Sequence, residues 1–198
     1  MKINLFPTPI YQLQLEGDTL NRVQQELKVA YDDHIASDLF KDPFDDNRMQ
    51  TTNGTFGEDI FSKYRPMEFL NVISGALKDY ITDFVQQEYD AIITNAWMTR
   101  MQQHEYCHIH SHSGYDGAHI SGAYYYKAEP EDACLFFETP LAAGPYTPIG
   151  NNSTVKIQPA VGQLLLFPSW LQHGVTTQNH DRDRVSISFN VGLRFKGQ

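Results

Sequence analysis

Cysteine and long apolar runs are both scarce in this chain of 198 residues. Only Cys107 and Cys134 are present, too few for a disulfide framework, which is typical of proteins of the reducing cytoplasm. No apolar run of about 18 residues occurs, so the sequence predicts no membrane span. The N-terminal stretch lacks a basic segment followed by an apolar core and is therefore a poor signal peptide. We expect a cytoplasmic protein with no membrane partner.

Positive charge is scarce as well. Lysine and arginine number 15 against 24 aspartates and glutamates, which gives a formal net charge of −9. Contacts to nucleic-acid phosphates require clustered Lys and Arg, so we expect no nucleic-acid partner. The charge sets no such limit on a small-molecule or peptide substrate, and it is compatible with a homodimer. The length and a hydrophobic content of 41% predict a single domain over residues 1–198 with a real core.

Histidine, in contrast, is concentrated in one stretch. Five of the eight histidines fall between Gln103 and His119, and His173 follows at the end of a distant apolar run. Alternate residues of a strand share a face, so the histidines at 108, 110 and 112 could all line one surface. Imidazole suits iron, and iron(II) is typically held by two His and one carboxylate. The pattern favours a metal held between two strands over a solvated, histidine-rich loop.

Apolar periodicity predicts helices in the first half of the chain and strands in the second. Residues 18–31 and 67–87 carry apolar side chains at helical spacing, and a long loop over 32–66 separates them. The predicted extended segments are 5–15, 92–103, 120–128, 133–139, 153–160, 162–168 and 184–195. Helical and loop support over 1–90, followed by a barrel over 91–198, predicts a mostly β fold of the jelly-roll type with flanking helices.

The last predicted strand has one polar and one apolar face. Arg184, Ser186, Ser188 and Asn190 alternate with apolar residues. The polar face could point into the barrel only if Arg184 had an anionic partner, because a buried guanidinium without an anion is very costly. From periodicity alone, an outward polar face is equally compatible with the sequence.

Four motifs in this order resemble those of the iron(II)/2-oxoglutarate-dependent oxygenase superfamily: His-x-His, SGAYY, GQLLLFPSWLQHGV and RVSISFN. More narrowly, the chain resembles the small 2-oxoglutarate oxygenases of bacteria and phages, most strongly over residues 95–195. The resemblance implies a double-stranded β-helix, a cupin-like jelly roll. It also implies iron(II), 2-oxoglutarate and molecular oxygen, used by a dioxygenase (hydroxylase) that couples 2-oxoglutarate decarboxylation to oxidation of a substrate.

The resemblance assigns roles to several residues. His173 matches the distal iron ligand, Arg184 matches the residue that binds the far carboxylate of 2-oxoglutarate, and Ser186 matches the serine that shares this carboxylate. Tyr124 and Tyr126 share one face of their predicted strand and could contribute a hydroxyl to the cofactor, although a place in the aromatic core or the barrel lining is at least an equal alternative.

The remaining metal ligand is left open by the sequence. The superfamily pattern is His-x-Asp or His-x-Glu, and no histidine here is followed by an acid at that spacing. Aligned on the superfamily, His108 takes the first ligand position and His110 the position of the acid, so that both would be catalytic with His173. Alternatively, Asp116 supplies the anionic ligand from the loop. The other histidines of the stretch are expected outside the ligand set: His104, His112 and His119.

Two other functions remain compatible with the sequence. One is a cupin-like metal protein with three histidine ligands and no 2-oxoglutarate. The other is a non-catalytic jelly-roll binding protein with a vestigial histidine cluster. A 2-oxoglutarate titration distinguishes the first from an oxygenase, because it leaves Arg184 without a cosubstrate, and an anaerobic iron titration distinguishes the second.

Overall fold

The computed structural model describes residues 8–41, 48–52, 59–82, 88–114, 117–140 and 154–196. The helices are α1 (Gly17–Ala36), α2 (Ile60–Tyr64) and α3 (Met67–Thr82). The strands are β1 (Tyr11–Gln14), β2 (Gln50–Thr51), β3 (Tyr89–Met101), β4 (Cys107–His110), β5 (Ile120–Lys127), β6 (Leu135–Glu138), β7 (Thr154–Ile157), β8 (Gln163–Pro168), β9 (His173–Val175) and β10 (Arg184–Phe195).

The strands form two antiparallel sheets. The larger has the order β1-β8-β5-β10-β3-β2 and the smaller the order β4-β9-β6-β7. Most neighbours in each sheet are distant in sequence, so the chain crosses repeatedly between the sheets, as in a jelly roll. A second apolar cluster joins the sheets face to face, with Leu165 and Phe167 from the large sheet and Phe137 from the small one. The prediction of a mostly β chain with flanking helices is confirmed.

The helices pack on the outer face of the large sheet. Leu27 of α1 and Phe69 and Ile73 of α3 are almost fully buried and share one cluster with the alternate apolar side chains of β10. Burial of each side chain of this size stabilises the fold by about 1.5–3 kcal/mol. The buried face of each helix therefore has to be apolar, and this apolar stripe is the periodic pattern from which the sequence predicted the helices. None of the helices in the described ranges is long and apolar enough to cross a membrane.

The bounds of the supporting elements differ from the predicted ones. Helix α1 continues to Ala36, beyond the predicted end at residue 31, whereas α3 follows its prediction as far as Thr82, and the rest of that predicted range, 83–87, lies outside the described residues. The segment predicted as one loop over 32–66 contains the end of α1, β2 and the short helix α2. Asp59 caps α2 by accepting a 2.7 Å hydrogen bond from the Ser62 N–H, and its second oxygen accepts from the N–H of Ala96 in β3. This helix depends on its cap and its docking partner, so periodicity could not predict it.

Strand β10 is the centre of the large sheet, paired with β3 on one side and β5 on the other. Its apolar residues face the helices, and its polar residues, Arg184 among them, face the interior between the sheets. Its register shifts twice, against β5 between Val185 and Ser186 and against β3 between Asn190 and Val191. Of the two arrangements that the sequence allowed, the structure has the one in which the polar face of β10 points inward, and in this arrangement the buried Arg184 needs an anionic partner.

Strand β4 carries a further irregularity. Cys107 pairs with Val175 and His110 pairs with His173, so three steps along β4 correspond to two along β9. This is the geometry of a β-bulge, which inserts one residue and interrupts the alternation of faces. Cys107 and His110 consequently line the same cavity, whereas the intervening His108 and Ile109 are exposed.

Candidate metal and cosubstrate site

Three histidines meet between the two sheets. One ring nitrogen each of His110, His112 and His173 lies within 4.8 Å of the others, the one such group of His, Cys, Asp or Glu found in the described ranges. The Nε2 atoms of His110 and His112 are 3.1 Å apart. With metal–nitrogen bonds of about 2.0–2.1 Å, neighbouring ligand atoms lie about 2.8–3.4 Å apart, so this pair already has ligand spacing.

The strands and one turn bring these rings together. His110 on β4 lies directly opposite His173 on β9, and their ring centroids are 4.4 Å apart. His112 follows the end of β4, where its backbone N–H donates a 2.8 Å hydrogen bond to the carbonyl of Ser169. The turn after β8 therefore holds His112 over the pair, with its ring centroid 5.0 Å from that of His173.

Each of the three rings uses its Nδ1 atom for a hydrogen bond. His110 Nδ1 lies 2.8 Å from the carbonyl oxygen of His108, and His173 Nδ1 lies 2.8 Å from that of Leu171. His112 Nδ1 lies 2.7 Å from the side-chain oxygen of Asn190. A carbonyl oxygen only accepts, so each Nδ1 carries the proton and each Nε2 presents a lone pair. Three lone pairs in one place repel each other unless a cation lies between them.

Burial keeps the imidazoles of His112 and His173 in their neutral form. It lowers the pKa of His173 to about 3, with a further contribution from the neighbouring His110. Burial also lowers the pKa of His112, against the hydrogen bond to Asn190, which raises it. Metals bind the neutral imidazole, so both rings are in the ligand form at neutral pH.

The structure brings together two of the three histidines predicted as ligands, His110 and His173, and places His108 outside the group. His108 is exposed, and its Nε2 lies 3.2 Å from the hydroxyl of Tyr106. The bulge in β4 is the reason, because it ends the alternation that would have put His108 beside His110. His112, which was expected outside the ligand set, lies in the group instead of His108. Asp116, the alternative ligand, lies outside the described residues.

Two further histidines of the same stretch lie away from the group, as expected. His119 accepts a hydrogen bond at Nδ1 from the backbone N–H of Leu193, at 3.2 Å. His104 adopts a left-handed backbone with φ 73°, and its N–H donates to the carbonyl of Gln178.

A buried arginine lines the same cavity as the three histidines. Arg184 is 2% exposed, its Nε donates a 2.9 Å hydrogen bond to the carbonyl of Ala133, and its Nη1 lies 3.6 Å from Met101 Sδ. No carboxylate of the described residues forms an ion pair with it. Ser186, 6% exposed, lines the cavity beside it. The cavity therefore contains a buried positive charge that lacks an anion from the described part of the chain.

The tyrosine in this cavity is Tyr125, whereas the sequence pointed to Tyr124. Tyr124 packs on Phe69 at 4.6 Å between ring centroids, and its hydroxyl accepts from Gln24, so it lies on the helix side of the sheet. Tyr125 is fully buried with its ring 4.9 Å from the Arg184 guanidinium. Burial raises the pKa of Tyr125 although the guanidinium opposes this, and its hydroxyl makes no geometrically sound hydrogen bond in the described structure.

The pairing of β5 with β10 indicates that Tyr125, and not Tyr124, faces the cavity. Tyr125 lies opposite Ser186, and Ser121 lies opposite Asn190. Directly opposed residues of an antiparallel pair share a face, so the inward face of β10 fixes the inward face of β5.

A larger groove of about 320 Å³ lies outside the barrel, between α3 and β3. It is lined by apolar residues such as Leu70 and Tyr89, with Lys78 and Asp90 as its charged groups. Among the described residues that line it there is no histidine or cysteine. The smaller cavity of about 60 Å³ between the sheets is the candidate site, and it is lined by the three histidines together with Arg184, Ser186 and Tyr125.

A triplet of convergent imidazoles beside a buried arginine, inside an antiparallel two-sheet barrel, defines a metal-binding jelly roll with a place for an anion. Residues 95–190 match the family model described as "Putative 2OG-Fe(II) oxygenase". This match covers 96 of the 198 residues, and it indicates that the chain is a non-haem iron, 2-oxoglutarate-dependent oxygenase, an oxidoreductase. A comparison with curated proteins finds no match.

Solved structures of the same fold include three informative cases. HygX from Streptomyces hygroscopicus, solved with nickel and 2-oxoglutarate, is 14% identical, with 93% of this chain and 82% of HygX covered and a TM-score of 0.63. A Pseudomonas putida prolyl-4-hydroxylase is 14% identical, with coverages of 96% and 94% and a TM-score of 0.61. The α-ketoglutarate-dependent epimerase SnoN from nogalamycin biosynthesis is 10% identical, with coverages of 95% and 80% and a TM-score of 0.64. The predicted double-stranded β-helix is confirmed.

Proposed function

We propose that this oxygenase binds iron(II) at His110, His112 and His173 and anchors 2-oxoglutarate at Arg184. The observation that carries the proposal is that convergent imidazole lone pairs and an uncompensated buried guanidinium share one cavity. When bound, iron(II), 2-oxoglutarate and O2 supply the oxidising chemistry, in which decarboxylation to succinate is coupled to oxidation of a substrate. The protein binds and orients these groups and excludes water from them.

The donor set fits a divalent metal of the first transition row. Imidazole suits iron, zinc, copper and nickel, although the usual iron triad includes a carboxylate. His112 takes the place of that carboxylate, so the protein contributes no negative charge and the ion keeps its double positive charge. Such a centre favours anionic ligands, and a keto acid is one. Asp116 remains the alternative source of an anionic ligand.

Arg184, Ser186 and Tyr125 fit the far carboxylate of a keto diacid. A guanidinium binds a carboxylate in a fork of two hydrogen bonds, and its Nε bond to the Ala133 carbonyl fixes the plane of that fork. The Tyr125 hydroxyl and the Ser186 hydroxyl lie on the same inward face and can donate to the same carboxylate. The carboxylate would then neutralise the buried charge of Arg184 and accept a hydrogen bond from the Tyr125 hydroxyl.

Anaerobic titration tests the proposal in two stages, first with iron(II) and then with 2-oxoglutarate. Arg184→Lys keeps the charge but loses the planar fork, so we expect 2-oxoglutarate affinity to fall by about 10- to 100-fold, as for the loss of one charged hydrogen bond. Iron affinity should stay nearly unchanged, which makes it the internal control. Equal 2-oxoglutarate binding by Arg184→Ala would contradict the cosubstrate assignment. A succinate assay against a substrate panel then measures turnover.

The all-histidine donor set also supports a second candidate, a cupin-like metal protein that does not use 2-oxoglutarate. In that case iron binds but 2-oxoglutarate has no effect on the bound metal, and Arg184 binds a different anion. The same two-stage titration separates the candidates.

For the substrate we propose a small molecule or a peptide side chain. Among the structural neighbours, HygX has been solved with hygromycin B bound, and the Pseudomonas putida protein is a prolyl-4-hydroxylase. A location in the cytoplasm is supported by Cys107 and Cys134, which are both free and buried.

A further inference from the structure

We infer that Asn190 is a positioning residue that presents His112 to the metal, together with Ser121; this rests on the proposed metal site. Asn190 is 2% exposed and Ser121 is 1% exposed. The Asn190 side-chain oxygen lies 2.7 Å from His112 Nδ1 and 2.9 Å from Ser121 Oγ. Ser121 Oγ in turn lies 3.0 Å from His112 Nδ1, which closes a buried triangle of polar atoms.

His112 differs from the other two histidines in what orients its ring. His110 and His173 each bond a backbone carbonyl two residues earlier in their own segment, which no substitution of a side chain removes. His112 lies beyond the end of β4 and depends on a side chain 78 positions further along the chain. It is therefore the ring whose orientation a single substitution can change.

The direction of the Asn190 amide decides whether His112 can bind a metal. With the amide oxygen toward the ring, the Nδ1 atom carries the proton and the Nε2 lone pair is free. With the amide nitrogen toward it, the proton would move to Nε2 and point at His110 Nε2, only 3.1 Å away. The Ser121 hydroxyl donates to the amide oxygen and so holds the first arrangement.

The amide also keeps the site neutral. A carboxylate partner would make the imidazole more basic, as in carboxylate–histidine–metal triads. Asparagine supplies the same acceptor without a charge. The chemistry of the triangle thus predicts that an acceptor at residue 190 is required for metal binding, whereas an amide nitrogen is not.

The test uses cobalt(II) as the metal, with binding followed by the visible spectrum of the metal-free protein under titration. Asn190→Leu keeps the branched shape of the side chain and removes the acceptor, so we expect cobalt affinity to fall by about 10- to 100-fold, as for other partners of metal-binding histidines. Asn190→Asp retains the acceptor, so its affinity should match or exceed that of the unchanged protein. Ser121→Ala frees the amide to rotate and should lower affinity by about 2- to 10-fold.

The matched control is Asn95→Leu, the same substitution at the residue directly opposite Asn190 on β3. It should leave cobalt affinity unchanged. A purely structural role for Asn190 predicts the reverse order, because a buried carboxylate without a metal destabilises the fold more than a leucine does. An Asn190→Asp protein that binds as weakly as Asn190→Leu, or an Asn190→Leu protein that binds normally, would overturn the inference.

The inference and the proposed function can fail separately. If His112→Ala loses the metal while Asn190→Leu and Ser121→Ala keep it, the metal site stands and the positioning role is refuted. If the unchanged protein binds no cobalt or iron, both are refuted. Should Asn190→Leu fail to fold, Ser121→Ala and Asn190→Asp still decide the question.

Discussion

The exchange of His108 for His112 in the ligand set gives the sharpest test of the site. The two histidines flank His110 at equal distance in sequence, so alanine at each position forms a matched pair of variants. His112→Ala removes a ring whose Nε2 lies 3.1 Å from that of His110. His108→Ala removes an exposed ring and leaves in place the backbone carbonyl that holds His110.

The expected difference is large. Zinc peptides with four ligands bind with about 10–16 kcal/mol, or about 2.5–4 kcal/mol per ligand. At about 1.4 kcal/mol per factor of ten, His112→Ala should weaken metal binding by about 60- to 700-fold. The exposed ring of His108 contacts Tyr106, and substitution of an exposed residue of this kind costs about 0.5 kcal/mol or less, so affinity should change by about twofold at most.

Anaerobic calorimetric titration with iron(II) measures both affinities, and the metal-free melting temperature confirms that each variant is folded. Loss of binding in His108→Ala, with normal binding in His112→Ala, would mean that β4 has no bulge and would refute the proposed ligand set. Asp116→Ala is the third arm, because weakened binding there would show that the loop supplies an anionic ligand.

Three further predictions concern the same cavity and its walls. Tyr125→Phe should lower 2-oxoglutarate affinity several-fold. It should change the free energy of unfolding of the cosubstrate-free protein by less than about 1 kcal/mol, because the Tyr125 hydroxyl makes no sound hydrogen bond before the cosubstrate binds. A large loss of stability in urea denaturation would contradict this prediction. Gly122→Ala should destabilise by about 1–3 kcal/mol, because its Cβ would lie 2.1 Å from Phe189 Cζ, in a ring already packed on Phe61; an unchanged urea midpoint would refute the close approach. The metal-free protein should lose stability as the pH falls from about 6.5 toward about 3, because His173 takes up a proton in the unfolded chain but not in the native state. The loss for this residue is about 1.4 kcal/mol per pH unit. His173→Asn should reduce the slope of stability against pH, and equal slopes in the two proteins would contradict a lowered pKa of His173.

Much of the fold was predictable because its main elements bury regular patterns. The stripes of α1 and α3 and the alternation along β10 each place apolar groups on one face, and burial of that face drives the element to form. The sequence alone left open whether the polar face of β10 points inward or outward, because a buried Arg184 without an anion is costly. In the structure this face points inward. The element bounds were less accurate, since caps such as Asp59 are set by tertiary contacts.

The candidate site was predictable only in part, for two physical reasons. A single inserted residue in β4 turns His108 away from the face that it would otherwise share with His110 and His112, and no pattern in the sequence marks the bulge. In β5 both faces are buried, so three consecutive tyrosines give no indication of which one faces the cavity. The membership of His112 and Tyr125 follows from register and pairing, which are properties of the sheet and not of the strand alone.

Strand β10 carries both the proposed anchor for the cosubstrate and the residue proposed to orient a metal ligand. Arg184 and Asn190 are separated by six residues, or about 20 Å of strand at about 3.3 Å per residue. The register shifts after Val185 and Asn190 bracket this span and prevent it from sliding against its neighbours. The fixed register of β10 thus sets the distance between the Arg184 side chain and the histidines of the proposed metal site. Oxaloacetate and 2-oxoadipate, one methylene shorter and longer than 2-oxoglutarate, cannot reach both ends at full strength, and we expect each to support turnover about 10- to 200-fold less well.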